Sequence, residues 1–211
     1  KASFVKEPVD IGELIAEMAH LLKTSISKKA TLNLDIANDL PPVEGDPSQI
    51  RQIVMNLIIN ASDAIGDQNG VITVSAHSML CDENYLRNLK LHNNSTPGNY
   101  VCIGVADTGC GMDAETQARI FEPFFTTKFT GRGLGLSATL GIVRTHKGAL
   151  ELTSEPGKGT TFKVYFPATE IIAASSQIIE SCPSALFVGH GVVLLVDDEE
   201  MLRDVGSEML T

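Results

Sequence analysis

Gln49, Gln52, Asn56, Asn60 and Asp63 recur every three or four residues. At about 100° per residue they form one narrow stripe along a helix. Ile50, Ile53, Val54, Leu57, Ile58, Ala61, Ala64 and Ile65 form an apolar face beside it. Solvated helix faces usually carry Lys and Glu. Side-chain amides solubilise poorly, but their oxygens suit hard cations and hydrogen-bond donors. The stripe therefore reads either as an ordinary polar face or as a ligand face. A second signal lies in VCIGVADTGCGM (101–112), an apolar strand that ends on Asp107 and is followed by Gly109 and Gly111. A carboxylate at the end of a buried strand needs a donor. The exocyclic amine of adenine supplies one, whereas guanine presents a carbonyl oxygen there, which a carboxylate repels. Glycines let the backbone approach a flat ligand closely. The same residues also read as a turn capped by Asp.

TGRGLGLS (130–137) places Gly131, Gly133 and Gly135 at a helix entrance. Free N–H groups and the helix dipole attract phosphate at such a place, although a flexible hinge has the same composition. The segment does not match G-x-G-x-x-G, and no Gly-Lys-Ser/Thr follows. That disfavours a Rossmann dinucleotide site and a Walker loop. Between the two glycine-bearing segments lies IFEPFFTTK (120–128). Its Phe121, Phe124 and Phe125 read as packing residues. Lys128 and Arg132 are cations next to the candidate phosphate position, with Lys128 the better candidate and Arg132 the more easily solvated one.

The elements that must position these groups follow from periodicity. Residues 10–27 carry a helical apolar pattern (Ile11, Leu14, Ile15, Met18, Leu21, Leu22), and ATLNLDI (30–36) alternates like a half-buried strand. Asp46-Pro47 starts a helix that runs to about Ile65. Strands are expected at 71–79 and 99–106, joined by a polar loop. A short acidic helix and the glycine-rich stretch fill 109–135, and a helix then runs to about His146. Strands at 149–154 and 160–166 turn at EPGKG (155–159). Helices and strands mix without strict alternation. The expected fold is α+β, a two-layer sandwich of a mixed sheet with helices on one face.

Composition narrows the function further. The chain has 211 residues, 43% of them hydrophobic and 20% charged, with a net charge of −10. That is globular composition, and so acidic a chain is not expected to bind nucleic acid through a basic face. No apolar run reaches 18 residues, so no membrane contact is expected and the location is read as cytoplasmic. Cys81, Cys102, Cys110 and Cys182 show no metal or disulfide spacing and read as reduced structural thiols. The chain opens on Lys1 without a signal-peptide pattern, which suggests that upstream sequence was cut away. Residues 1–167 read as one domain, and the Ala- and Ser-rich residues 168–190 as a linker. Residues 191–211 read as a buried strand, an acidic turn and a helix.

NLIINASDA (56–64), DTGCGM (107–112), FEPFFTTK (121–128), GRGLGL (131–136) and EPGKGTTFKVYFP (155–167) occur in this order. Together they resemble the N, G1, F and G2 boxes of the ATP-binding catalytic domain of sensor histidine kinases. That family shares its Bergerat-type nucleotide fold with DNA gyrase, heat-shock chaperone ATPases and mismatch-repair ATPases. The resemblance covers roughly residues 8–167. It implies ATP and Mg²⁺ as ligands. It assigns Asn60 to the metal, with Asn56 one turn earlier, and Asp107 to the adenine amine. Gly111 belongs to the adenine wall, Gly109 is a further ATP-binding position, and Thr160 supports Asp107 through a water. Residues 113–135 form the ATP lid, Gly133, Leu134, Gly135 and Leu136 close on the phosphates, and Gly131 is a further ATP-binding position. Many relatives carry Lys where this chain has Asp63, which resembles the nitrogen-regulator subgroup and moves the expected phosphate contact to Lys128. The gyrase and chaperone branches carry a water-activating Glu where this chain has Asn56. An amide takes no proton at neutral pH, so slow hydrolysis is expected.

VVLLVDDEE (192–200) resembles the first strand of a response-regulator receiver domain, in which Asp197 and Asp198 would bind Mg²⁺ beside a phosphoacceptor Asp beyond Thr211. The expected protein is a hybrid histidine kinase. Its expected partners are a dimerisation domain bearing the phosphoacceptor His and a receiver domain, together with a second copy in a tail-mediated homodimer. No His in this chain has the acidic follower of a phosphoacceptor, so the dimerisation helices are expected to lie elsewhere. A degenerate nucleotide-binding module without phosphotransfer is the alternative.

Overall fold

In the computed structural model, residues 6–22, 26–89, 91–92, 96–128 and 131–169 are described. The chain divides into two compact units, Lys1–Ile172 and Ala173–Thr211, and every described residue lies in the first. The expected linker beyond Thr169 and the receiver-like segment with Asp197 and Asp198 lie outside the described residues.

Alternating apolar side chains on β6 (Gly98–Asp107) and β8 (Gly159–Pro167) dictate the sheet. Val101, Ile103 and Val105 of β6, with Phe162, Val164 and Phe166 of β8, point to one face and join the main core. The six-stranded sheet runs β2 (Ala30–Ile36), β4 (Gly70–Cys81), β6, β8, β7 (Ala149–Glu155), β5 (Leu91–His92). The β2–β4 pair is parallel and the remaining pairs are antiparallel, so the sheet is mixed as expected. Two helices, α1 (Ile11–Leu22) and α2 (Pro47–Ile65), cover the main face. Ile50, Ile53, Val54, Leu57 and Ile58 of α2 are all but sealed from solvent. Each such side chain stabilises the fold by about 1.5–3 kcal/mol. The N-cap of α2 is Asp46, whose carboxylate accepts from the N–H groups of Ser48 and Gln49.

Several elements differ from the expectation. Leu21 belongs to the apolar pattern of α1 but is 70% exposed. Three-residue strands β1 (Glu7–Val9) and β3 (Val43–Gly45) pair into a small separate sheet. They are too short for periodicity to reveal. The presumed polar loop between β4 and β6 contains α3 (Glu83–Asn88) as well as β5. Helix α3 packs on the other face of the sheet, where Leu86 and Leu89 meet Tyr100, Cys102 and Tyr165. Tyr165 is fully buried there and donates to Glu151 Oε2 at 2.6 Å. The long helices keep to one face, and this short one seals part of the second. Burial in the same cluster pushes the Cys102 thiol up to about 11, as befits a structural thiol.

The helix α5 (Gly135–Thr145) packs on α2 and β7 and ends at His146, its C-cap. His146 is 4% exposed. Its Nε2 accepts from the Asp46 N–H at 3.0 Å while Nδ1 lies 2.9 Å from the Ile142 carbonyl. Those partners define a neutral ring with the proton on Nδ1. The histidine accepts the bond that ties the end of α5 to the start of α2. His146→Ala is expected to lower stability by about 1–3 kcal/mol, the usual cost of stranding a buried donor. Urea unfolding of the purified chain measures it.

Candidate functional site

A cleft of about 510 Å³ opens between the C-terminal half of α2, the end of β6, the lid residues and the start of α5. Of the residues singled out from sequence, Asn60, Asp107, Gly111, Lys128, Gly131, Gly133, Leu134, Gly135, Leu136 and Thr160 line it, and so do Asp63 and Arg132. Asn56 and Gly109 do not line it but hold its walls.

The floor is built on Asp107. Its carboxylate is half-buried, and Oδ1 accepts from the Gly109 N–H at 2.8 Å. Burial raises its pKa above the ordinary Asp value, opposed by the backbone N–H groups of Gly109 and Thr160. Gly109 sits so close to the end of α2 that a Cβ would come within 2.6 Å of the Ala64 carbonyl carbon. The Cys110 N–H donates to the Ala64 carbonyl oxygen at 3.0 Å. Ala64, expected in the core face of α2, lines the cleft instead. The end of β6 crosses the last turn of α2 at that point, so the residue faces a loop rather than the sheet.

Gly111 has φ +66, and a Cβ there would lie 2.0 Å from the Glu155 carbonyl oxygen. The loop after Asp107 is thereby pressed against the β7–β8 turn. Ser154, which carried no signal in the sequence, fastens the two. Its hydroxyl accepts from the Met112 N–H at 2.9 Å and lies 2.9 Å from Thr160 Oγ1. Thr160 is buried, and its hydroxyl is engaged with Ser154. Gln117 of α4 (Ala114–Arg119) adds bonds from Nε2 to the Met112 and Ser154 carbonyls, each 3.0 Å. Neither residue belongs to a motif. Only the folded loop brings them together.

The opposite wall is the lid. Phe121 and Phe125 pack against the core as expected, with the Arg119 guanidinium 4.3 Å from the centre of the Phe125 ring. Phe124 does not pack. It is 75% exposed and holds φ +68. Its N–H donates to the Gly133 carbonyl, and Gly133 lies too close to Phe124 to carry a side chain. The turn around Gly133 therefore presents Phe124 to solvent. Leu134, the N-cap of α5, gives no side-chain hydrogen bond to the first amide groups of the helix, and Leu134, Gly135 and Leu136 line the cleft.

Asn56 is turned to α5. Its Nδ2 donates to the Gly135 carbonyl at 3.2 Å and lies 3.5 Å from Thr139 Oγ1. The side chain thus braces the two helices, with no basic atom offered to the cleft. Asn60 Oδ1 accepts from Lys128 Nζ at 2.8 Å, and the same ammonium donates to Asp63 Oδ2 at 2.7 Å. An amide oxygen that already accepts a cation suits a hard metal ion. Among the described residues no group of three or more His, Cys, Asp or Glu side chains converges on a metal position. A magnesium ion at Asn60 would have to take its further ligands from phosphate and water. Among the described residues, no helix is long and apolar enough to cross a membrane.

Residues 45–170 match the family model of histidine kinase-, DNA gyrase B- and HSP90-like ATPases. The chain belongs to this ATPase family. Within it, the sequence is 36% identical to the sensor kinase CckA of Brucella abortus (strain 2308), over 97% of this chain and 22% of that protein. The chain thus spans about a fifth of that relative's length. The nucleotide-free catalytic domain of the histidine kinase ThkA superposes with a TM-score of 0.62 at 29% identity, covering 78% of this chain and 97% of that one. Full-length ShkA, solved in complex with AMPPNP, gives a TM-score of 0.62 at 27% identity, over 79% of this chain and 32% of that chain. The histidine-kinase ATPase fold accounts for the mixed sheet, the helical layer and the cleft between α2 and the lid.

Proposed function

We propose that this chain is the ATP-binding catalytic part of a hybrid sensor histidine kinase, transferring the γ-phosphate of ATP to a histidine on a dimerisation domain for relay to a receiver Asp. The observation that carries the reading is the convergence on one cleft of Asp107, Asn60 and the uncapped start of α5. AMPPNP in the related ShkA supports ATP as the ligand. The match to CckA covers nearly all of this chain, so it extends beyond residue 170 into the segment read as linker and receiver start.

The residues divide the work as follows. The Asp107 carboxylate accepts from the adenine amine, and the loop around Gly109 and Gly111 forms the slot for the ring. The α5 amides and the lid glycines receive the phosphates. Magnesium, when bound, neutralises phosphate charge. Asn60 holds it on the protein side. Asn56, spent on α5, leaves water without a general base beside the γ-phosphate. The site keeps ATP for an incoming histidine.

The test is titration of the chain with ATP, followed by addition of a purified cognate dimerisation domain and labelled ATP. Acid-labile label on that domain is the expected result. ATP binding without transfer would point to the degenerate module instead. Asn60→Ala is expected to remove the magnesium dependence of ATP binding and leave the far-ultraviolet circular dichroism spectrum unchanged. The side chain sits on the polar stripe, and its loss opens no core cavity.

A further inference from the structure

Asn60 and Asp63 lie three residues apart on α2 and so share one face. Lys128 reaches them from the lid, 68 positions along the chain from Asn60. Its ammonium is held at 2.7 Å by the Asp63 carboxylate and at 2.8 Å by Asn60 Oδ1. The carboxylate supplies the charge compensation, and the neutral amide merely receives a cation. Asp63 and Lys128 line both the main cleft and a second, open hollow of about 520 Å³ that also includes Ser27, Ser62, Gly66 and Asp67. Room therefore exists for the ammonium to leave Asn60 while staying on Asp63.

We propose that Lys128 is a placeholder cation: with no metal in the cleft its ammonium occupies the cation position on Asn60, Asp63 holds it there, and a divalent ion arriving with nucleotide displaces it. The inference rests on the nucleotide reading of the cleft. One amide oxygen cannot face an ammonium and a divalent ion together, because the two cations repel at that range. Lid position and metal occupancy are thereby in competition for Asn60. Without metal, Lys128 supplies the positive charge next to the phosphates. With metal, it swings about Asp63, and the lid segment 126–128 moves with it. Asp63 is a positioning residue for the lid.

The test compares ATP affinity of the full chain by calorimetry in excess chelator and in excess Mg²⁺, for wild type and Lys128→Gln. The expected result is a metal-to-chelator affinity ratio about two- to fivefold larger in the variant, the range for a partly exposed ion pair. The increase comes from weaker binding in chelator. Equal losses under both conditions would make Lys128 a plain phosphate contact and overturn the proposal, as would no change at all. Separately, Asp63→Asn should speed amide exchange of the peptide containing residues 126–128 about two- to fivefold in nucleotide-free protein. Unchanged exchange would show that Asp63 does not hold the lid. If wild type binds no ATP under either condition, the nucleotide reading fails and this inference falls with it. Binding with an unaltered ratio sinks the placeholder alone.

Discussion

Asp107→Ala is expected to weaken ATP binding about 10- to 150-fold, equivalent to about 1.5–3 kcal/mol for a hydrogen bond to a charged group. GTP should bind poorly to the wild type, because its carbonyl oxygen would face the same carboxylate. Calorimetry with both nucleotides measures both effects, and equal ATP and GTP affinities would refute the adenine assignment. The protonation of Asp107 adds a pH signature. Burial holds its pKa above the usual Asp value, so the carboxylate protonates before an ordinary Asp as pH falls. ATP affinity should then begin to drop at a higher pH than an ordinary Asp would set. The stability effect has the opposite sign. A carboxyl whose folded pKa is raised binds its proton more tightly in the folded state. Ionising it costs stability as pH rises from the unfolded pKa through the folded one. Asp107→Asn should therefore melt no lower than wild type at neutral pH, while losing ATP. Asn can still accept from the Gly109 N–H. A lower melting temperature would mean that the carboxylate supports the fold instead of straining it.

Gly111→Ala is expected to damage both the fold and the site. Its backbone has φ +66, and the new methyl would stand 2.0 Å from the Glu155 carbonyl oxygen, a backbone atom. The left-handed conformation alone costs about 1–2 kcal/mol for a residue bearing a Cβ. The clash must also drive the loop off the β7–β8 turn. That breaks the Met112–Ser154 bond and the bond from the Gly157 N–H to the Cys110 carbonyl. A total loss of about 3 kcal/mol or more is expected, in the range of strained-backbone and core mutations. Thermal unfolding gives the stability, and ATP titration of the folded fraction should find affinity at least tenfold weaker. Gly98→Ala is the control, since a Cβ there meets nothing within 4 Å. A Gly111 variant as stable as that control would show that the loop yields freely.

Elements with long local repeats were legible from consecutive residues. The extent of β2, the start of α2 at Asp46-Pro47 and the turn at residues 155–159 follow from neighbouring residues alone. Burial pattern and capping are properties of a few consecutive positions. The motif glycines and Asp107 were legible for the same reason, since close backbone approach demands particular residue types. Tertiary structure decided the rest, because the partners are remote in the chain. His146 accepts from Asp46 across 100 positions, and Asn56 braces Gly135 across 79. Ser154 and Gln117 acquire their roles only when the β7–β8 turn meets the loop after Asp107. The exposure of Phe124 follows from the turn around Gly133, which hydrophobicity alone would have buried. Residue type fixes which chemistry a side chain is able to do. Which of those possibilities it performs is set by the long-range contact that orients it, as Asn56 and Asn60, one turn apart on the same helix, demonstrate.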